Sequence, residues 1–160
     1  MALGSEIASP TSDPAASANG SGHLGRFSVE CQLANYEEVK WAAGGFIPPE
    51  QIHRTTISGV VDTGAARLVL PPSAVTALGL AETGRTVVKF ADGRREPRAT
   101  VNDVQLEYQG RFGVFSAVVE PGRADALIGA IVLEELDLLP DCKGKALVPR
   151  DPDATITEVE

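Results

Sequence analysis

The sequence predicts an all-β fold, made mainly of strands with one short helix near its C-terminal end. Three observations point there. Sixteen glycines and eleven prolines among 160 residues punctuate the chain and leave few stretches long enough for a helix. Apolar residues recur at alternate positions in several runs, as half-buried strands require. Asp92-Gly93 and Gln109-Gly110 each lie between two such runs, which is the signature of a hairpin. A chain of this length suits one domain with a sizeable core.

In order, residues 1–25 are rich in Ala, Ser, Gly and Pro with hardly a large apolar side chain, and are expected to form a disordered leader. The domain is expected to span residues 26–150. It opens on a strand from Arg26 to Ala34, with Phe27, Val29, Cys31 and Leu33 on one side. Residues 35–51 hold the only Trp, a Gly44-Gly45 pair and Pro48-Pro49, and read as a loop or short helical excursion anchored by Trp41 and Phe46. A strand then runs from Ile52 to Val61, another from Arg67 to Leu70, and a short helical turn from Ser73 to Leu80 is closed by Gly79.

Strands at 85–90 and 96–101 flank Ala91-Asp92-Gly93-Arg94, and strands at 104–108 and 111–119 form a second hairpin. Pro121-Gly122 turns the chain into Ala126-Leu127-Ile128, Gly129 starts a helix over 130–136, and strands near 137–141 and 145–148 complete the domain. Residues 151–160 are a polar tail expected to fray.

Composition excludes several classes of function. A net charge of −8, with Arg and Lys interspersed among acids, argues against nucleic-acid binding and against docking on a bare anionic membrane. No apolar run reaches the roughly eighteen residues a spanning helix needs. The start of the chain lacks the charged-then-apolar layout of a secretory signal, so the expected compartment is the cytoplasm. Cys31 and Cys142 make neither a disulfide framework nor a metal site, and two buried thiols are expected. His23 and His53 stand far apart without ligand-spaced partners. No metal and no cofactor is expected.

One stretch stands out. Val60-Val61-Asp62-Thr63-Gly64-Ala65 places an acid directly after a β-branched apolar run and follows it with a hydroxyl and a glycine. This reads as a buried strand ending in a tight loop that presents one carboxylate. In a catalytic site Asp62 is the acid, the Thr63 hydroxyl satisfies neighbouring backbone, and Gly64 lets backbone pass close to the carboxylate. Strand-Asp-x-Gly is also ordinary turn chemistry, and the triplet arises by chance in roughly a few per cent of chains this long.

The order of the motifs adds to the triplet. Val-Val-Asp-Thr-Gly-Ala, the Leu68-Val69-Leu70-Pro71 run, Ala91-Asp92-Gly93-Arg94 between two strands, and Ala126-Leu127-Ile128-Gly129-Ala130 before a helix resemble the retropepsin-like aspartic proteases over residues 27–149. The resemblance is to single-domain members of bacterial type, because a two-lobed pepsin needs a second Asp-Thr/Ser-Gly loop and about twice the length. It implies a closed β-barrel and a flap over substrate made by the 85–101 hairpin, with Ala65, Ala91, Asp92 and Gly93 touching substrate. Without the resemblance that hairpin reads as a plain surface hairpin. The Ala126–Ala130 element echoes the Asp62 loop without its acid, Leu127 standing where Asp62 does.

One carboxylate cannot be both the base that activates water and the acid that protonates the carbonyl oxygen. Paired carboxylates that share one proton are the general behaviour of aspartic proteases, and a single Asp-Thr-Gly therefore implies a homodimer with Asp62 from each copy. The family likeness implies that Thr63 bonds the partner loop and that strands near Phe27 and Leu147 interleave at the interface. The expected activity is endopeptidase cleavage of a peptide or protein substrate. Val69, Phe90, Val114 and Ile131 suggest apolar residues beside the cut. The competing reading is a catalytically silent module of the same shape that binds extended peptides by strand addition or serves only for dimerisation.

Overall fold

A computed structural model describes residues 26–159, so the leader expected over 1–25 lies outside the described residues. Strand β1 (Phe27–Asn35) buries Phe27, Val29, Cys31 and Leu33 and exposes the residues between them, as its alternation requires. It pairs antiparallel with β2 (Arg54–Val61) from Phe27 opposite Val61 to Ala34 opposite Arg54. The order then runs through β7 (Ala126–Ile128), β3 (Leu68–Leu70), β6 (Arg111–Val119) and β5 (Arg95–Tyr108). β5 returns to β1 through Gln32 opposite Glu107 to Asn35 opposite Val104. Six strands thus close into a barrel, which leaves no open edge in the ring. β4 (Gly84–Lys89) stands outside the ring and pairs only with the first half of β5.

Leu33, Val61, Leu68, Leu70, Leu106 and Ile128 fill the barrel and are fully buried. Phe27 and Leu147, read as lying in interface strands, are both engaged within the chain. Phe27 is level with Val61, and Leu147 pairs with Pro140 in the hairpin of β8 (Leu138–Asp141) and β9 (Ala146–Pro149). β5 is one strand of 14 residues where the sequence suggests two. Asn102 and Asp103 sit at a register jump between Val101 and Val104, with Asp103 at φ 61, so a bulge carries the strand past residues that look like a break.

The excursion after β1 is the helix α1 (Tyr36–Ala43), followed by a short 3-10 turn at Pro49–Gln51. Its anchors are polar. Asn35 caps α1 by accepting from the Glu38 amide and donates its Nδ2 to Leu78 O at 3.0 Å, while Glu38 accepts from the His53 amide at 2.8 Å. Trp41 is 45% exposed and Phe46 82% exposed, so the aromatic anchoring expected from the sequence is absent. α2 (Pro72–Ala77) ends at Gly79, which takes φ 65. Cys31 is buried as expected and its thiol is pushed up to about 11 by burial and by Glu30; Cys142 is exposed in the β8–β9 turn, contrary to expectation.

α3 (Ala130–Leu136) buries Val132, Leu133 and Leu136 and stops at Asp137 in the left-handed conformation. Asp137 is 2% exposed, accepts from the Ile156 amide at 3.1 Å, and lies within ion-pair range of Arg150 and Arg111. Arg111 donates to Leu136 O at 3.0 Å and to Ala154 O at 3.1 Å, and also to Asp151 O. The polar tail, expected to fray, is therefore tied down as far as Ile156. Replacing Arg111 by alanine is expected to lower the unfolding free energy by about 3 kcal/mol, because carbonyls and a buried carboxylate lose a charged donor. Urea denaturation measures this, and limited proteolysis should then cut between residues 151 and 156.

Candidate active site

β2 ends at the fully buried Val61, and the chain leaves the barrel at Asp62. The Asp62 amide still bonds Ile128 O at 3.0 Å, in line with the parallel pairing of Val61 with Ile128. The loop then closes on itself: the Ala65 amide donates to Asp62 O at 3.1 Å, and the Gly64 amide donates to Asp62 Oδ1 at 3.0 Å. Arg26, just before β1, places its guanidinium 2.7 Å from Asp62 Oδ2. Both carboxylate oxygens are thus oriented, and the side chain is 15% exposed. Thr63 and Gly64 face solvent.

The loop rests on the start of α3. Ala130 and Ile131 donate their amides to Ala65 O at 2.8 Å and Ala66 O at 3.1 Å. Gly129 makes this seat possible, since a Cβ there would lie 2.5 Å from Arg67 O and 2.7 Å from Ala65 O. Ile128 is level with Val61 in the parallel pairing, so Gly129 follows beside Asp62. At Gly129 the backbone of the loop occupies the space a side chain would need.

A cleft of about 410 Å³ opens beside the loop. Gly64, Ala65, Ala66 and Arg67 form one wall. Val69, Val118 and Leu127 make an apolar floor, and Val88 and Lys89 of β4 with Phe90 just after it close the far side, with Glu120 and Arg123 at one end. The 84–101 hairpin thus borders the same cleft as residues 64–67 of the loop. It is pinned there by Arg98, whose Nε donates to both oxygens of Glu120 at 2.9 Å and whose Nη2 donates to Glu96 at 2.7 Å. The Phe90 ring stacks under Arg94 and Arg98, 4.5 and 5.4 Å from their guanidinium carbons.

Of the residues expected to touch substrate, Ala65 lines the cleft, whereas Ala91, Asp92 and Gly93 stand beyond it at the hairpin tip. Asp92 is committed to its own turn. The Arg94 amide and guanidinium bond it at 2.9 and 3.0 Å and hold its carboxyl below the usual carboxylate range. Gly93 takes φ 92, which the tight turn needs. Val69 and Phe90 line the cleft as expected, but Val114 and Ile131 are on the outer surface. Sequence reasoning did not single out Arg26, Arg67, Lys89, Glu120 or Arg123. No local pattern marks them, because each reaches the site from a different strand end. Among the described residues, no three of His, Cys, Asp and Glu are grouped to hold a metal ion.

A six-stranded closed barrel with few short helices, an Asp-Thr-Gly loop at the end of a buried strand and a hairpin beside it define a retropepsin-like protein. The Aspartyl protease family profile matches residues 50–132, just over half of the chain and including the Asp62 loop, the hairpin and Gly129. The chain belongs to the aspartyl protease family. Comparison with curated proteins returned no match.

Proposed function

We propose that two copies of this chain form an endopeptidase in which Asp62 of each activates one water for attack on a peptide bond. The observation that carries this reading is the posture of Asp62: a single carboxylate, oriented by the Gly64 amide at the mouth of a buried strand, with Thr63 and Gly64 exposed beside it. One carboxylate takes a proton from water as its oxygen bonds the carbonyl carbon, and the other gives a proton to the carbonyl oxygen. The resulting diol collapses as the first carboxyl passes its proton to the leaving amine and the second carboxylate recovers one from a diol hydroxyl.

Thr63, exposed in the single chain, braces the facing loop, and Gly64 allows the two loops close approach. Arg26 is 43% exposed and pairs with Oδ2 of Asp62, so an approaching partner loop displaces it at small cost. The β4–β5 hairpin covers the bound peptide.

Activity per chain is expected to fall in proportion to concentration once the protein is diluted below its dimer dissociation constant. Cleavage of an unfolded protein across a dilution series, with sedimentation in parallel, measures it. Specific activity that stays constant in a sample that is monomeric throughout would overturn the two-chain site. Peptide binding without cleavage by the dimer would favour the silent module instead.

A further inference from the structure

We infer that the cleft beside the Asp62 loop selects peptides carrying an acidic side chain next to an apolar one. This rests on reading that cleft as the peptide channel of the proposed endopeptidase. The charges in its wall are unbalanced. Arg67, Lys89 and Arg123 all line it, and none of them forms an ion pair with a carboxylate among the described residues. The one acid in the wall, Glu120, is already matched by the Arg98 guanidinium at 2.9 Å.

Two of the three cations are held in place by neutral groups. Arg67 Nη2 donates to the Ser116 hydroxyl at 3.0 Å, and Arg123 Nε donates to Asp125 O at 3.0 Å. Neutral partners order a guanidinium without cancelling its charge, and an ordered guanidinium loses less freedom when a carboxylate arrives. Lys89 is exposed on β4 and also lines the cleft. The floor of Val69, Val118 and Leu127 offers nothing polar, so an apolar side chain belongs there and the carboxylate belongs at the rim.

The surrounding molecule makes this local sign unusual. The chain carries a net charge of −8, so a cationic cleft is set against the field of the whole protein. An acidic residue gains from the nearby cations, whereas a basic one finds no free carboxylate in the wall.

The test uses two fluorescein-labelled peptides, identical except for Glu against Gln beside a central leucine, and measures both binding to the Asp62→Asn protein and cleavage by the unaltered one. Partly exposed ion pairs are each worth up to a few-fold, so the Glu peptide is expected to bind about tenfold more tightly at low salt. The advantage should nearly vanish at about 1 M salt, where the screening length is about 3 Å. Lys89→Glu should cut the advantage to about threefold or less, and because only the backbone of Lys89 takes part in the β4–β5 pairing the fold should be unchanged. Equal binding of the two peptides, or a preference that Lys89→Glu leaves intact, overturns the inference. Cleavage without charge preference sinks this inference and leaves the protease reading standing. Preferential binding of the Glu peptide with no cleavage by the unaltered protein supports the acidic selectivity and sinks the protease reading.

Discussion

Replacing Asp62 by asparagine is expected to abolish peptide cleavage while leaving the barrel folded. Asparagine has the size of aspartate, and its Oδ1 can still accept from the Gly64 amide that now bonds Asp62 at 3.0 Å. It can neither take a proton from water nor share one with a facing carboxylate. In a two-fold site the substitution appears twice, so both the base and the acid are lost. Positioned acid-base groups contribute about 10²–10⁴-fold each, and the combined loss should take the rate below detection. Stability should change little, by about 1 kcal/mol or less, because the partner lost on the other oxygen is the half-exposed Arg26. A gel assay on an unfolded substrate and a thermal melt of both proteins check the two halves of this expectation. Mixing the variant in equal amount with the unaltered chain should leave about a quarter of the pairs with two aspartates. Cleavage that persists in the pure variant removes Asp62 from the mechanism.

Gly129→Ala is expected to damage both fold and activity from a position that touches no substrate. The added Cβ would fall 2.5, 2.7 and 2.8 Å from Arg67 O, Ala65 O and Arg67 N, all of them backbone atoms that cannot swing aside. Relief requires the 62–67 loop to lift from α3, which breaks the bonds from the Ala130 and Ile131 amides to Ala65 O and Ala66 O. Overpacking of this kind costs about 1–3 kcal/mol. A shift of about 1 Å in the loop that carries the carboxylate should lower cleavage by about a hundredfold. Gly122→Ala is the control, since a Cβ at Gly122 meets nothing within 4 Å. If the two variants melt at the same temperature and cut at the same rate, the loop does not depend on the seat that Gly129 provides.

The Gly129 position also shows where sequence reasoning reaches its limit. The repeat of apolar residues before a Gly-Ala pair marks it as an echo of the Asp62 loop, and the strands that lead into the two elements, β2 and β7, pair side by side. Its register does not follow from the letters, because two parallel strands slide freely on paper and only hydrogen bonds such as Asp62 N to Ile128 O choose the level. Trp41 is a similar case. An aromatic in an insertion reads as an anchor, yet Asn35 and Glu38 hold that segment by hydrogen bonds and leave the indole at the surface. Arg111 gave no signal at all, since its acceptors lie between 25 and 43 residues away along the chain.

The sequence alone determined the kind of fold, the strands and hairpins, and the one loop at which an acid is presented. Those features depend on neighbours in the chain: alternation sets which face of a strand is buried, and glycine next to aspartate sets a turn. Tertiary structure decided the order in which strands close the ring, the partners that orient the Asp62 carboxylate, and the positive lining of the cleft. These arise when side chains from distant strand ends meet in space, and no short-range pattern records which of them will meet.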